Sequence, residues 1–297
     1  MIQHSGARIV AVLGAGTMGQ GIAQVAATAG FTTRLFDTLP ERASQAIDAI
    51  DKQLARLVEK GKFTGDQRSS VLALLSPASN VAEASKDAEL VIEAAPENLD
   101  LKTKILNEAK STAHTDAILA SNTSSLSLTE LGARVGEAHR VIGLHFFNPP
   151  PVMELLEIVR GLSTSDATVD RALAIATQMK KSPIVVNDSP GFASSRLGVI
   201  LGAEAIRMLE SGVASAVDID RAMELGYRHP MGPLKLTDLV GLDVRLAILD
   251  HLHREVGEQF RAPSLLRTMV RAGKLGKKSG EGFYRWKDGV AEPKPQK

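Results

Sequence analysis

The run Arg8-Ile-Val-Ala-Val-Leu-Gly14-Ala-Gly16-Thr-Met-Gly19 decides the fold. Its apolar, β-branched start reads as a buried strand. The glycines that follow open a helix over Thr17 to Thr28, closed by Gly30. In a strand–loop–helix unit of this spacing the first glycine permits the tight turn. The second lets backbone approach a pyrophosphate, and the third lets helix and strand pack closely. The helix N-terminus offers N–H groups and a positive dipole end to phosphates. Gly14, Gly16, Thr17, Met18 and Gly19 are therefore candidate cofactor-binding positions. A glycine turn alone is weak, so its context decides. Asp37 ends the next strand-like run, Thr32 to Phe36, about 20 residues on, where a carboxylate accepts from adenosine ribose hydroxyls. Such a carboxylate repels a 2′-phosphate and selects NAD over NADP. Arg42 is the one feature nearby that favours NADP.

Outward from this unit, strand-like runs alternate with helical ones. Ala43, Ile47, Ile50, Leu54 and Leu57 carry the spacing of an amphipathic helix. Leu90 to Ala94, Ala117 to Ala120, Arg140 to Phe146, Glu154 to Val159 and Ile184 to Asn187 read as strands. Helical stretches at Asn98 to Thr112 and Asp166 to Lys180 separate several of them. The alternation implies a mainly parallel sheet covered on both faces, a Rossmann-type domain. Beyond Asn187-Asp-Ser-Pro-Gly191 the strand signal disappears. Phe192 to Ser211, Ser215 to Leu225, Leu234 to His253 and Pro263 to Ala272 read as helices. The expectation is a dinucleotide-binding domain over 1–188 and an all-helical C-terminal domain over 189–297, with a polar, frayed end at Glu292 to Lys297.

The bulk numbers exclude several classes. A net charge of +1 with 4% aromatics argues against capture of nucleic acid, by charge or by base stacking. The absence of cysteine excludes disulfides, thiolate catalysis and cysteine-held metals. No apolar run is long enough to span a membrane. Met1 to Gly6 is polar and lacks the form of a secretory leader, so the expectation is a cytoplasmic protein without membrane attachment.

Oxidation of a secondary alcohol needs a base for the hydroxyl proton, and histidine is the natural choice. Of the seven histidines, His4, His114 and His139 stand among polar residues, and His251 and His253 point to different helix faces. His145 ends the apolar run Val141-Ile-Gly-Leu-His145, where an imidazole needs a partner. Glu157, within Leu155-Leu-Glu-Ile-Val159, is a carboxylate in equally apolar company and has the same need. On successive strands the two satisfy each other. Glu154 is the rival, placed nearer the surface. The turn Ser121-Asn-Thr-Ser-Ser125 follows a strand. Ser124 or Ser125 there either caps the next helix or, at a strand's carboxyl end, lets Ser124 bind a substrate hydroxyl. No histidine and carboxylate grouping calls for a metal.

These blocks, together with Val91-Ile-Glu-Ala94, Gly143-Leu-His-Phe-Phe-Asn-Pro149, Asp188-Ser-Pro-Gly-Phe192, His229-Pro-Met-Gly-Pro233 and Gly276-Lys-Lys-Ser-Gly-Glu-Gly-Phe-Tyr284, resemble the 3-hydroxyacyl-CoA dehydrogenase family in family order, closest to its bacterial 3-hydroxybutyryl-CoA members. The resemblance implies NAD-dependent, reversible oxidation of short-chain (S)-3-hydroxyacyl-CoA, with His145 as base, Glu157 as its partner and Ser124 on the substrate hydroxyl. It implies cofactor contacts from Glu97, Lys102 and Asn148, and a coenzyme A contact from the Ala43 to Lys62 hairpin through Lys60, which reads equally as a solvated lysine. A homodimer formed through the helical domain is implied as well. The family usually carries an asparagine where this chain has Ser195, before Arg196. A hydroxyl is shorter and donates once, so Asn148 takes more of the substrate-carbonyl contact. Two other readings share the fold: an oxidoreductase of a sugar acid such as gulonate, and a silent, crystallin-like NAD-binding protein. Competition by free coenzyme A separates the first; the buried dyad argues against the second.

Overall fold

The computed structural model describes residues 8–294. The chain divides between Ser189 and Pro190 into two compact units, each with its own apolar core.

The first unit alternates as the sequence predicts. In chain order it runs β1 (Ile9–Leu13), α1 (Thr17–Thr28), β2 (Thr32–Phe36), α2 (Arg42–Glu59), α3 (Gly65–Ala73), β3 (Leu75–Pro77), α4 (Val81–Ser85) and β4 (Leu90–Glu93). It continues with α5 (Leu99–Lys110), β5 (Ile118–Ser121), α6 (Leu128–Val135), β6 (Val141–Phe146), β7 (Leu155–Arg160), α7 (Asp166–Gln178) and β8 (Ser182–Asn187). The strands form one sheet in the order β3-β2-β1-β4-β5-β6-β7-β8. Every pairing is parallel except β6 with β7. After β1 the chain winds to one side, through β2 and β3, then returns to place β4 on the other. Such a switch point opens a crevice at the carboxyl ends of the strands.

The antiparallel β6–β7 pair sets His145 directly opposite Glu157. Opposed residues share a sheet face, so the pairing register brings base and carboxylate together. Elements with weak periodicity escape a sequence reading: β3 is three residues long, and α3 owes its start to a Thr64–Gln67 capping box.

The second unit comprises α8 (Ser194–Glu210), α9 (Ala216–Gly226), α10 (Pro233–Val240), α11 (Leu242–Glu255) and α12 (Ser264–Arg271), then a hairpin of β9 (Arg285–Lys287) and β10 (Val290–Glu292). Two expectations need correction. Leu234 to His253 is two helices, broken where Gly241 takes φ +106°, a conformation side chains resist. Nor is the unit all-helical: the hairpin turns on Asp288-Gly289, both with positive φ. A buried network closes this unit. Asp238 accepts from the backbone N–H of Phe283 (2.7 Å) and Tyr284 (2.9 Å) and from Trp286 Nε1 (2.9 Å). Asp220 accepts from the Tyr284 hydroxyl (2.7 Å) and from the N–H groups of Leu234 and Lys235. These bonds account for the Gly276 to Tyr284 motif: it seats the tail on α9 and α10.

Candidate active site

Four parallel strands, β1, β4, β5 and β6, end side by side. The glycine loop closes β1. Gly14 takes φ +114°, and a methyl group there would lie 2.6 Å from the Ala94 carbonyl oxygen. One added at Gly19 would lie 1.7 Å from the Gly14 carbonyl oxygen, so helix and loop close only over glycine. At Gly16 an added methyl group would meet nothing within 4 Å. No side chain caps α1 and no acid stands in its first turn, where Thr17 is exposed and Met18 half-buried. Crowded first and third glycines, an open second and uncapped amides fit a dinucleotide pyrophosphate. Asp37 braces this loop: its Oδ2 accepts from Ala15 N–H at 2.8 Å and its Oδ1 from Leu39 N–H at 3.0 Å. Each oxygen keeps a lone pair for a further donor. Arg42 Nε stands 4.0 Å from Asp37, close enough to weaken its charge but outside hydrogen-bond reach.

Beyond β4 lies a charged cluster. Glu93 is 0% and Lys102 1% exposed. Lys102 Nζ donates to both Glu93 oxygens (2.9 and 3.0 Å) and to the Ala95 carbonyl (3.1 Å), and stands 3.4 Å from Glu97. Its three protons thus face acceptors inside the fold, a bracing position rather than an outward charge. Burial pushes Glu93 above the usual carboxylate range, against the pull of Lys102 and the Ser121 hydroxyl. Glu97 Oε1 collects the hydroxyls of Thr123 (2.5 Å) and Ser125 (2.9 Å) and the N–H groups of Ser124 (3.1 Å) and Ser125 (3.2 Å). Burial would raise Glu97, but the Thr123 hydroxyl, Lys102 and Ser125 together hold it below its ordinary value.

The turn so gripped carries Ser124, whose side chain is exposed. Neither Ser124 nor Ser125 is a helix cap; Ser127 caps α6 by accepting from Glu130 N–H. In β6, His145 Nδ1 lies 2.7 Å from Glu157 Oε2, and Glu157 is 0% exposed. A carboxylate accepts only, so the ring proton sits on Nδ1 and the basic lone pair on Nε2. Phe147 packs on the imidazole with ring centroids 4.6 Å apart. Glu154 is exposed, and of the two glutamates it is Glu157 that meets the histidine. Asn148 is exposed in the loop after β6. Asn122, which the sequence reading passed over, accepts from Phe146 N–H at 2.9 Å and ties the serine turn to the histidine strand.

Lys60, exposed, caps the C-terminus of α2. Ser195 lies in the first turn of α8, in the second unit. Among the described residues no group of three or more histidines, aspartates and glutamates is placed to hold a metal, and no helix is long and apolar enough to cross a membrane.

A glycine loop at a parallel sheet's switch point, with a buried imidazole–carboxylate pair across two strands of the same sheet, defines a nicotinamide-dinucleotide oxidoreductase of the Rossmann type. Comparison with known proteins narrows the class. Residues 9–189 match the model of the 3-hydroxyacyl-CoA dehydrogenase NAD binding domain, and residues 191–286 match that family's C-terminal domain. A Bacillus subtilis protein named "Probable 3-hydroxybutyryl-CoA dehydrogenase" is 46% identical over 280 residues, covering 94% of this chain and 97% of its own. The 3-hydroxybutyryl-CoA dehydrogenase of Clostridioides difficile is 41% identical, covering 93% and 98%. The crystal structure of (S)-3-hydroxybutyryl-CoA dehydrogenase from Ralstonia eutropha superposes with a TM-score of 0.91 at 42% identity, over 95% of this chain and 100% of that one. This chain belongs to the 3-hydroxyacyl-CoA dehydrogenase family, and its cofactor is NAD.

Proposed function

We propose that the protein reversibly oxidises short-chain (S)-3-hydroxyacyl-CoA to the 3-oxoacyl thioester, with His145 as general base. The observation that carries this reading is the 2.7 Å contact between His145 Nδ1 and the fully buried Glu157, on a strand end beside the serine turn. Bound there, NAD supplies the hydride acceptor. Gly14, Gly16, Thr17, Met18 and Gly19 would hold its pyrophosphate, and Asp37, Glu97 and Asn148 its ribose and nicotinamide ends, with Lys102 bracing Glu97. His145 Nε2 takes the hydroxyl proton as the hydride leaves, and Glu157 orients the ring and stabilises its charged form. Ser124 donates to the substrate oxygen, Ser195 and Asn148 serve the thioester carbonyl, and Lys60 pairs with coenzyme A phosphate.

Residues 1–188 form the NAD-binding domain, and 189–297 the substrate-binding and dimerising one. A homodimer is supported by the apolar side chains left exposed on the helices, among them Leu197 at 69% and Leu225 at 72%. We place the enzyme in the cytoplasm. Acetoacetyl-CoA mixed with NADH and protein loses absorbance at the reduced-nicotinamide band. No turnover of any C4 to C8 3-oxoacyl-CoA, with turnover of gulonate instead, would overthrow this reading in favour of a sugar-acid enzyme.

A further inference from the structure

The helical unit holds a charge with no partner. Arg245, on α11, is 7% exposed; its Nε is buried without a hydrogen-bond partner, and among the described residues no carboxylate pairs with its guanidinium. A guanidinium stays protonated in a protein. Burying one without a counter-charge costs far more than any packing gain from its stem, which is why buried charges are paired.

The acids around it are committed elsewhere. On its own helix, Asp243 pairs with Lys278 at 2.5 Å and Asp250 with Arg267 at 2.5 Å. The unit's two buried aspartates, Asp220 and Asp238, each accept three bonds from the tail and the helix ends. Burial alone acts on the Arg245 guanidinium, pulling it down from its ordinary value with no acid opposing.

The place of this charge is informative. A methyl group added at Gly198 would lie 3.8 Å from Arg245 Nη1, so the guanidinium rests over a bare stretch of α8. Gly198 stands three residues after Ser195, and residues so spaced share a helix face. An unpartnered cation thus lies about one turn from the residue assigned above to the substrate carbonyl.

We infer that Arg245 receives a carboxylate borne by the substrate, so that the preferred thioester has a short acyl chain ending in a carboxylate rather than a methyl group. This rests on the acyl-CoA reading of the site and sharpens its substrate class. A neutral carbonyl would give the guanidinium a hydrogen bond and leave its charge uncompensated. A carboxylate gives it both, in the bidentate geometry that suits arginine.

The test compares two six-carbon 3-oxoacyl-CoA thioesters, one ending in carboxylate and one in methyl, as substrates with NADH. Wild type favours the carboxylated thioester at least about tenfold in kcat/KM, the scale of a hydrogen bond to a charged group. In Arg245→Met the ratio falls to near one, and Arg245→Lys keeps part of it. A second arm needs no turnover: the saturated acyl-CoA with a terminal carboxylate raises the melting temperature of wild type more than its methyl counterpart, and raises Arg245→Met equally with both. Equal use and equal protection by both thioesters in wild type overturns the inference while leaving the dehydrogenase reading intact. If neither thioester is reduced, that reading falls, and the melting arm still decides Arg245. Conversion of a wild-type dimer to monomer by Arg245→Met also overturns it, since the cation would then be paired across two copies of the chain.

Discussion

Replacing Lys102 by methionine should be among the most damaging single changes in the first unit. The ammonium is 1% exposed against a carboxylate at 0%, with N–O distances of 2.9 and 3.0 Å. Without it, Glu93 keeps only the Ser121 hydroxyl and the Ala95 N–H as donors. Breaking a buried pair by removing one partner costs about 3–5 kcal/mol, because the remaining charge has no water to turn to. For a unit of this size each kcal/mol moves the midpoint by about 2–4 °C, so the shift is about 6–20 °C. Substituting both partners, Glu93→Gln with Lys102→Met, removes the stranded charge and should recover more than half of that loss. Circular dichroism can follow the sheet-bearing unit, while the single tryptophan, Trp286, reports on the helical one. Glu97 loses its cation in the single variant, so turnover well below the new midpoint should also fall, as the serine turn loosens. A loss of less than about 1 kcal/mol in Lys102→Met, with no recovery in the double variant, would refute the claim that this pair holds the strand ends.

Further outcomes follow from the same geometry. His145→Gln should lower kcat by about 10²–10⁴ with NAD affinity nearly unchanged, and wild-type turnover in a folded variant rejects the assignment. Wild type should prefer NADH to NADPH by more than about tenfold in kcat/KM, since a carboxylate at Asp37 repels a 2′-phosphate. Asp37→Ser should narrow that gap and raise KM for both cofactors, because the Ala15 N–H loses its acceptor; a narrowed gap with KM for NADH unchanged would deny the loop-bracing role. Asp238→Asn, which turns an acceptor-only group toward three donors into an amide, should cost about 2–4 kcal/mol and shift Trp286 emission to the red. Glu281 is held down to about 2 by Lys294 and Lys274. Its folded value lies below the unfolded one, so its stabilisation is present above about pH 4.5 and lost as pH falls toward 2. Glu281→Gln should flatten that part of an acid titration, and an unchanged titration would remove its pairs from the account.

Much of this was legible in the sequence where one residue's chemistry forces one conformation. The glycine loop reads directly because each glycine answers a separate steric demand, and α1 begins and ends where expected. His145 and Glu157 were found by a need for partners in apolar company. The register that joins them is a long-range property that apolar runs do not encode. The misreadings have the same root. Gly241 lies inside a continuous helical pattern, and only its +106° φ shows that the chain turns there. The β9–β10 hairpin had a local signal in Asp288-Gly289 but flanking strands of three residues each. Asn122, Lys102 and Arg245 depend on which other groups are nearby, and no spacing along the chain records that.

The antiparallel register of β6 and β7 separates chemistry from chain length. Because His145 and Glu157 meet through strand pairing, their contact does not depend on the length of the connection between the strands, residues 147–154. Beyond Phe147 and Asn148, that connection can lengthen or shorten over generations while the dyad keeps its 2.7 Å contact. A single-residue insertion within either strand is different, since it sends one partner to the opposite face of the sheet. Length variation is thus tolerated in the connection and forbidden a few residues away, an arrangement that lets the loop drift while the proton-transfer apparatus stays fixed.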